Sequence, residues 1–380
     1  VWNEPRGKIR LLMTPGPVEV SPRVLEAMAR PQIYHYYRNF VDFFAETTEK
    51  VRKIFQTNND ILILQGEGVL GLEAAVVNCV NAGDKVLVLD SGPFGKGFRE
   101  YVLNAEGRVS ELTVDYHRAI DKESLKQKLD ADKDIKAMTV VHCETPTGVL
   151  NPVQELCPLA KERGIVTIVD AVASLGGVDL KPDQWDIDVC VSASQKAISS
   201  SAGLTLMSIS PEAWETIDKK KKPIRNSYLS LIDWRDSWIK NRRFPFTPSI
   251  GDMYGLGEAC DILLEEGLQN SFSRHATVAE ECRTGIETIG MQLWAERKEI
   301  CSNTVTTIDI PEGYSDAQIV NTMVEKYGIL IGGGFRETKG QLLRIGHMGY
   351  QATTTNIVAT IEAMRRTLTE LQPTKRMIAQ

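Results

Sequence analysis

The chain has 380 residues, of which 42% are hydrophobic, 7% aromatic and 25% charged, enough apolar material for a large core, which excludes disorder or a simple fibre. Fifty acidic against 44 basic residues leave a net charge of -6, which excludes nucleic acid as an expected partner while allowing a local basic pocket. Seven cysteines at 79, 143, 157, 190, 260, 282 and 301 form no CxxC pair, as expected of reduced thiols in a cytoplasmic protein.

Residues 1–16 read as an irregular arm or lid, not a core strand: LLMTPGPVEVSP packs prolines around Gly16. The opening VWNEPRGKIR lacks the apolar stretch of a signal peptide, and a start at Val1 is expected to reflect a missing initiator or short leader. Pro22 opens a short helix through Arg30. Phe40, Phe43, Phe44, Thr47, Val51 and Ile54 recur at helical spacing and predict a helix over 39–54. The turn TNND from Thr57 then leads into the strand ILIL from Ile61, the glycine-rich turn GEGVLG from Gly66 and a helix from Leu72. The arrangement repeats with strands over 86–89, 137–142, 166–170 and 187–192 and helices near 97–103 and 153–163.

Runs of Val and Ile separated by helices predict an α/β fold over 17–266, a mostly parallel or mixed sheet sandwiched by helices. All these apolar runs are strand-sized and far short of a membrane span, so no membrane is expected. After a solvated run DKKKKP from Asp218, residues 230–249 form a long aromatic-rich connection with little regular structure, suited to a site or an interface. Trp234 and Trp238 stand four apart there and offer a face to a partner chain. From 267 to 380 a helix over 269–289, strands at 305–310, 329–331 and 342–346, and a helix over 355–371 predict a smaller C-terminal α+β domain.

Polar residues cluster past the C-terminal ends of the large-domain strands, where open α/β sheets bind ligands. Lys196, in SASQKAISSSAG, follows a strand and is flanked by small hydroxyl residues; in a pocket, desolvation would leave it a nucleophilic amine, and on the surface it would be an ordinary charge. Asp170 closes the strand VTIVD, where it either caps the next turn or meets the ring nitrogen of a pyridine cofactor; the presence of Lys196 favours the second reading. The Thr145 hydroxyl is placed to reach a phenolic oxygen, with Phe94 and Val172 against the two faces of a ring, although a lone Phe is also ordinary core. Arg344, inside the strand LLRIG, requires either a substrate carboxylate or an internal salt bridge, and Arg336 in a loop is a second candidate. The five histidines form no HxxxH or HExxH pattern, so no metal is expected. Ser174 has no evident histidine partner, which leaves hydrolysis a poor second class.

The chain resembles the fold type I, class V aminotransferases, in particular the alanine-glyoxylate and serine-pyruvate group and, within it, the pyridoxamine-pyruvate enzymes. The resemblance rests on TPGP from Thr14, GEGVLGLE from Gly66, SGPFGKGF from Ser91, ETPTGVLNP from Glu144, VDAVASLGG from Val169, the Lys196 motif, IDW from Ile232, FPFTPS from Phe244 and RIGHMG from Arg344. It implies a cytoplasmic homodimer or dimer of dimers with sites at the subunit interface. It also implies that Lys196 forms a Schiff base and moves the proton, Asp170 meets the pyridine nitrogen, Thr145 the phenolic oxygen, Phe94 and Val172 the ring faces, and Arg344, with Arg336 and Gly16, the substrate.

Ordinary members bind the 5'-phosphate of pyridoxal phosphate with a hydroxyl residue, a glycine and a histidine where this chain has Glu67, Gly68 and Val69, and with a partner-subunit tyrosine where it has Phe244; Gln195 and Thr247 remain polar. A glutamate at a helix N-terminus repels a dianion, but accepts a hydrogen bond from a free 5'-hydroxyl. The expectation is therefore pyridoxamine plus pyruvate giving pyridoxal and L-alanine, with the vitamin bound as substrate and no retained pyridoxal phosphate. The alternatives are a conventional pyridoxal-phosphate-dependent alanine or serine aminotransferase using glyoxylate or pyruvate, and a non-catalytic vitamin B6 binding protein. The pyridoxamine-pyruvate enzymes carry an arginine at the position matching Phe335, whereas here it follows at Arg336.

Overall fold

The computed structural model describes residues 7–371, so residues 1–6 of the expected arm and 372–380 of the expected small domain lie outside the described residues. Seven strands form the central sheet, in the order Asp60–Gln65, Leu204–Ile209, Val189–Ala193, Val166–Asp170, Ile135–Val141, Lys85–Asp90, Arg108–Thr113. Leu204–Ile209 runs antiparallel to both neighbours and every other adjacent pair is parallel, so the remaining strands all end on one edge of the sheet. Their apolar runs are buried because helices such as Gly68–Cys79, Pro93–Asn104 and Val153–Lys161 cover the sheet. Two of the strands were not anticipated. Arg108–Thr113 is a polar edge strand with Arg108, Glu111 and Thr113 exposed, and Leu204–Ile209 follows a Ser- and Gly-rich turn that masks its start.

A second sheet has the order Leu11–Met13, Ile329–Gly333, Leu342–Gly346, Val305–Asp309. This corrects the reading of residues 1–16 as an arm without a core strand: Leu11, Leu12 and Met13 pair in parallel with Ile329, Leu330 and Ile331, and Met13 is fully buried. Three residues are too few to show a strand period in the sequence. One hydrophobic core gathers residues between Val24 and Leu263, and a second gathers Met13 with residues from Val278 to Met364. Val18, Cys143, Ala173, Ala197, Val305 and Met348 form a small third cluster drawn from both ends of the chain. Among the described residues, no helix is long and apolar enough to cross a membrane.

The expected helix runs Arg38–Phe55 and buries Phe40, Phe44, Thr47, Val51 and Ile54. Against it pack the tryptophans that were expected to face a partner chain. Instead of an irregular connection, Leu231–Trp234 is a helical turn continued by the π-turn Arg235–Ile239. Trp238 is 1% exposed, stacked on Phe244 with ring centroids 5.0 Å apart and edge-on to Phe44 at 4.5 Å. Trp234 lies parallel to Phe44 at 6.3 Å. The i,i+4 spacing therefore serves the chain's own core, because the facing helix supplies phenyl rings on a matching stripe. Trp238→Ala should lower stability by about 3–5 kcal/mol, the usual cost of emptying a buried aromatic site. Urea denaturation measures it; a loss below about 1 kcal/mol would show that the cluster repacks.

Candidate active site

The common edge of the parallel strands carries the site. Past Asp60–Gln65, Gly66 at φ 139 turns the chain into the helix Gly68–Cys79, with Glu67 as its N-cap residue. A Cβ on Gly68 would stand 2.8 Å from Val172 Cγ2 and 3.2 Å from Ala193 Cβ, so only glycine lets this helix start approach the neighbouring strand ends. Asp170 ends its strand and accepts the Val172 N–H at 2.8 Å, while Lys196 follows the end of Val189–Ala193. The turn after Lys196 is tied to the small domain, where Tyr350 N donates to Ser199 Oγ at 2.8 Å. From the N-terminal segment, Pro15 O accepts Lys196 Nζ at 2.7 Å. At Gly16, φ 106, a Cβ would lie 2.4 Å from Lys196 Nζ, so the lysine passes over a position that tolerates no side chain.

These elements enclose a cavity of about 310 Å³ lined by Gly16, Glu67, Gly68, Val69, Phe94, Thr145, Asp170, Val172, Gln195 and Lys196, together with Pro17, Leu72 and Ala202. Its charged lining is two carboxylates and one amine. Burial lowers the Lys196 amine from 10.5 to about 8, against the opposing attraction of Asp170 and with the Arg344 guanidinium adding to the lowering. Burial likewise raises Asp170 from 3.8 to about 7, the Val172 N–H and Lys196 opposing and Glu67 assisting. Both alternatives weighed for Asp170 thus coexist, since it caps its turn and faces the cavity. A poised amine beside a buried carboxylate suits proton transfer on a bound, electron-withdrawing ring. Gln195 is 6% exposed, and its Oε1 has no hydrogen-bond partner.

Arg344 is partly buried beside this cavity and not in its lining. Its Nε donates to Gly333 O at 2.6 Å, and among the described residues no carboxylate pairs with it, so the internal salt bridge is not what the structure holds. Burial lowers its guanidinium from 12.5 to about 10.

Three expected positions lie elsewhere. Arg336 is exposed and absent from the cavity lining, with its guanidinium 5.2 Å from the Phe335 ring centre, in a loop where its own φ is 50. Phe244 does not face the cavity of its own chain; lacking a hydroxyl, its ring is buried between Trp238 and Phe44. Thr247 is exposed and also outside the cavity lining. Phe94 lines the cavity but also stacks on Phe335, with centroids 5.7 Å apart and planes at 19°, a contact the sequence did not reveal. Also missed was the partner of Ser174: its Oγ is 3.0 Å from His142 Nδ1. Both are buried and outside the cavity, and burial holds His142 down to about 4, so the pair is a closed structural contact. Among the described residues, no group of three or more His, Cys, Asp or Glu is arranged to hold a metal ion.

Comparison with known proteins agrees with this geometry. The family described as aminotransferase class-V matches residues 21–359. An uncharacterized aminotransferase of Methanocaldococcus jannaschii is 37% identical over 362 residues, covering 95% of this chain and 93% of the relative. A pyridoxamine–pyruvate transaminase of Mesorhizobium japonicum is 35% identical over 354 residues, covering 93% of this chain and 90% of the relative. The crystal structure of pyridoxamine-pyruvate aminotransferase from Mesorhizobium loti superposes with a TM-score of 0.94 at 34% identity, over 97% of this chain and 94% of that one. With its mixed central sheet, smaller second sheet and lysine-bearing cavity, the chain belongs to the class V aminotransferases and has the fold type I architecture.

Proposed function

We propose that this aminotransferase transfers the amino group of pyridoxamine to pyruvate, giving pyridoxal and L-alanine, with the vitamin as substrate. The observation that carries the reading is the charge of the cavity wall: among the described residues, Glu67 and Asp170 stand against the amine of Lys196 and no other cation lines it. Glu67 makes no capping hydrogen bond with its side chain, and among the described residues no ion pair occupies it. A carboxylate left free at the start of a helix repels a phosphate dianion and accepts a hydroxyl. Gln195, whose Oε1 has no partner, is a second group able to accept from a hydroxyl. The name of the Mesorhizobium relatives supports the same substrates.

The lining fits the ring of vitamin B6. Bound there, the ring supplies the electron sink that stabilises negative charge at the carbon bearing the amino group. Of the lining residues, Asp170 would hold the proton at the ring nitrogen, Thr145 would take the phenolic oxygen, and Phe94 and Val172 would pack the ring faces. Lys196 Nζ takes and returns the proton, and the guanidinium of Arg344, with which no carboxylate among the described residues pairs, takes the carboxylate of pyruvate or alanine. The reading takes a homodimer or dimer of dimers as the working unit, supported by the exposed rings of Tyr34, Tyr37 and Tyr228.

The test is pyridoxal formation from pyridoxamine and pyruvate by dialysed protein with no pyridoxal phosphate added. Turnover is expected; activity that appears only with pyridoxal phosphate and an amino-acid donor would sink the reading. Such an outcome would favour a conventional phosphate-dependent enzyme, a reading supported by the uncapped start of Gly68–Cys79, an intrinsic anion site. Glu67→Ser should tighten pyridoxal phosphate binding by about tenfold, the effect of removing one like charge (~1.4 kcal/mol), and raise the KM for pyridoxamine. Equilibrium titration of both vitamers measures the switch.

A further inference from the structure

The turn that carries Phe94 and the strand end that carries Thr145 belong to separate βα units, yet both must stand at the same cavity. What joins them is Glu144. It is fully buried on the short strand Cys143–Glu144, and its two oxygens accept the backbone N–H groups of Phe94 at 2.9 Å and Gly95 at 2.8 Å, in the first turn of the helix Pro93–Asn104. Among the described residues no Lys or Arg pairs with it, so the two amides are the donors that hold its carboxyl group. Burial pushes its carboxyl up to about 8.

The sequence gives way around this contact. A Cβ on Gly92 would fall 2.2 Å from Glu144 Cγ, and one on Gly95 would fall 2.6 Å from Leu89 O and 3.5 Å from Glu144 Oε2. Gly92 sits at φ 166, extended backbone open to any residue, so what excludes a side chain there is the carboxylate and not the turn. Glu144 thus grips the amide of Phe94 and is bonded through the chain to Thr145, both of which line the cavity. On the other side of the phenyl ring, Phe335 stacks on Phe94 and Lys96 pairs with Glu337 at 2.9 Å, so the small domain presses on the element that Glu144 holds from beneath.

We propose that Glu144 is a positioning residue, which touches neither ring nor substrate and fixes Phe94 against Thr145 so that the slot between them matches a pyridine ring. The inference rests on the reading that a vitamin B6 ring occupies this cavity. A carboxamide keeps one acceptor but turns an N–H toward a backbone donor, so Glu144→Gln loses one bond and opens the slot. Gly92→Ala keeps the carboxylate and displaces it sterically, which makes it an independent probe should Glu144→Gln fail to fold.

In absorbance titrations with pyridoxal, both variants should show a Kd raised by up to about tenfold, the effect of one lost buried hydrogen bond. The circular dichroism induced in the bound chromophore should fall by half or more, while the KM for pyruvate stays within about twofold of the unaltered chain, since the slot grips the ring and not the keto acid. Unchanged pyridoxal affinity and dichroism, whatever the thermal midpoint does, would reduce Glu144 to a helix cap and overturn the inference. The titration of the unaltered protein judges the underlying reading separately. Uptake of pyridoxal phosphate in preference to pyridoxal sinks the vitamin-as-substrate reading, and Glu144 is then decided by the same comparison made with the phosphate. Uptake of neither overturns both.

Discussion

Lys196→Ala should lower amino transfer by about 10⁴-fold, the loss expected when a positioned general acid–base is removed. Among the described residues no other amine lines the cavity, and Pro15 O and the bare Cα of Gly16 hold this one in place. A surface lysine is almost wholly protonated at neutral pH; lowered from 10.5 to about 8, this one is half neutral near pH 8. In the unaltered protein, the rate of proton abstraction should therefore climb as pH rises toward 8 and flatten above it. The substitution should also abolish reductive trapping of pyridoxal on the chain. Single-turnover formation of pyridoxal checks both effects, and a variant that retains more than about 1% of the rate would remove Lys196 from the chemistry.

Asp170→Asn should cost roughly 10³-fold in turnover, because an amide cannot hold a proton at the ring nitrogen as a carboxylate does. The variant keeps an oxygen for the Val172 N–H, so its fold has no reason to fail. Its stability should move the other way. The folded pKa of Asp170 is raised from 3.8 to about 7, so the folded state binds this proton more tightly than the unfolded chain. The stability tied to that proton is complete below about pH 4 and is lost as pH rises to 7, a change of about 4 kcal/mol. Asparagine never pays for that ionisation, so above pH 7 the empty variant should melt at a higher temperature than the unaltered protein. At pH 4 the two should melt alike. Scanning calorimetry at both pH values decides; a variant destabilised at pH 8 would show that the buried carboxylate is satisfied after all.

The parallel core was legible because its strands are short, wholly apolar and spaced by helices, as ILIL from Ile61 and VLVL from Val86 display. Those strands end together, which is why Asp170, Thr145 and Lys196 were placed as a group before their distances were known. The failures share a different cause. Leu11–Met13 is a strand only because Ile329–Ile331 lies beside it, and Trp238 is core only because Phe44 and Phe244 meet it from distant segments. Arg336 and Phe335 exchange apparent roles by one position in a loop whose geometry no period encodes. Glu144 left a fainter trace, an acid embedded between Cys143 and a Thr-Pro-Thr turn after an apolar strand, and its partners are backbone amides that sequence does not spell.

The pairing of Leu11 with Ile329 also orders events during synthesis. The segment that delivers Pro15 and Gly16 to Lys196 is synthesised long before its partner strand. A nascent chain can therefore assemble the central sheet and still lack the floor beneath its lysine. Closing a loop that spans most of the molecule is a late and slow event, so competence for chemistry should lag behind formation of the large domain.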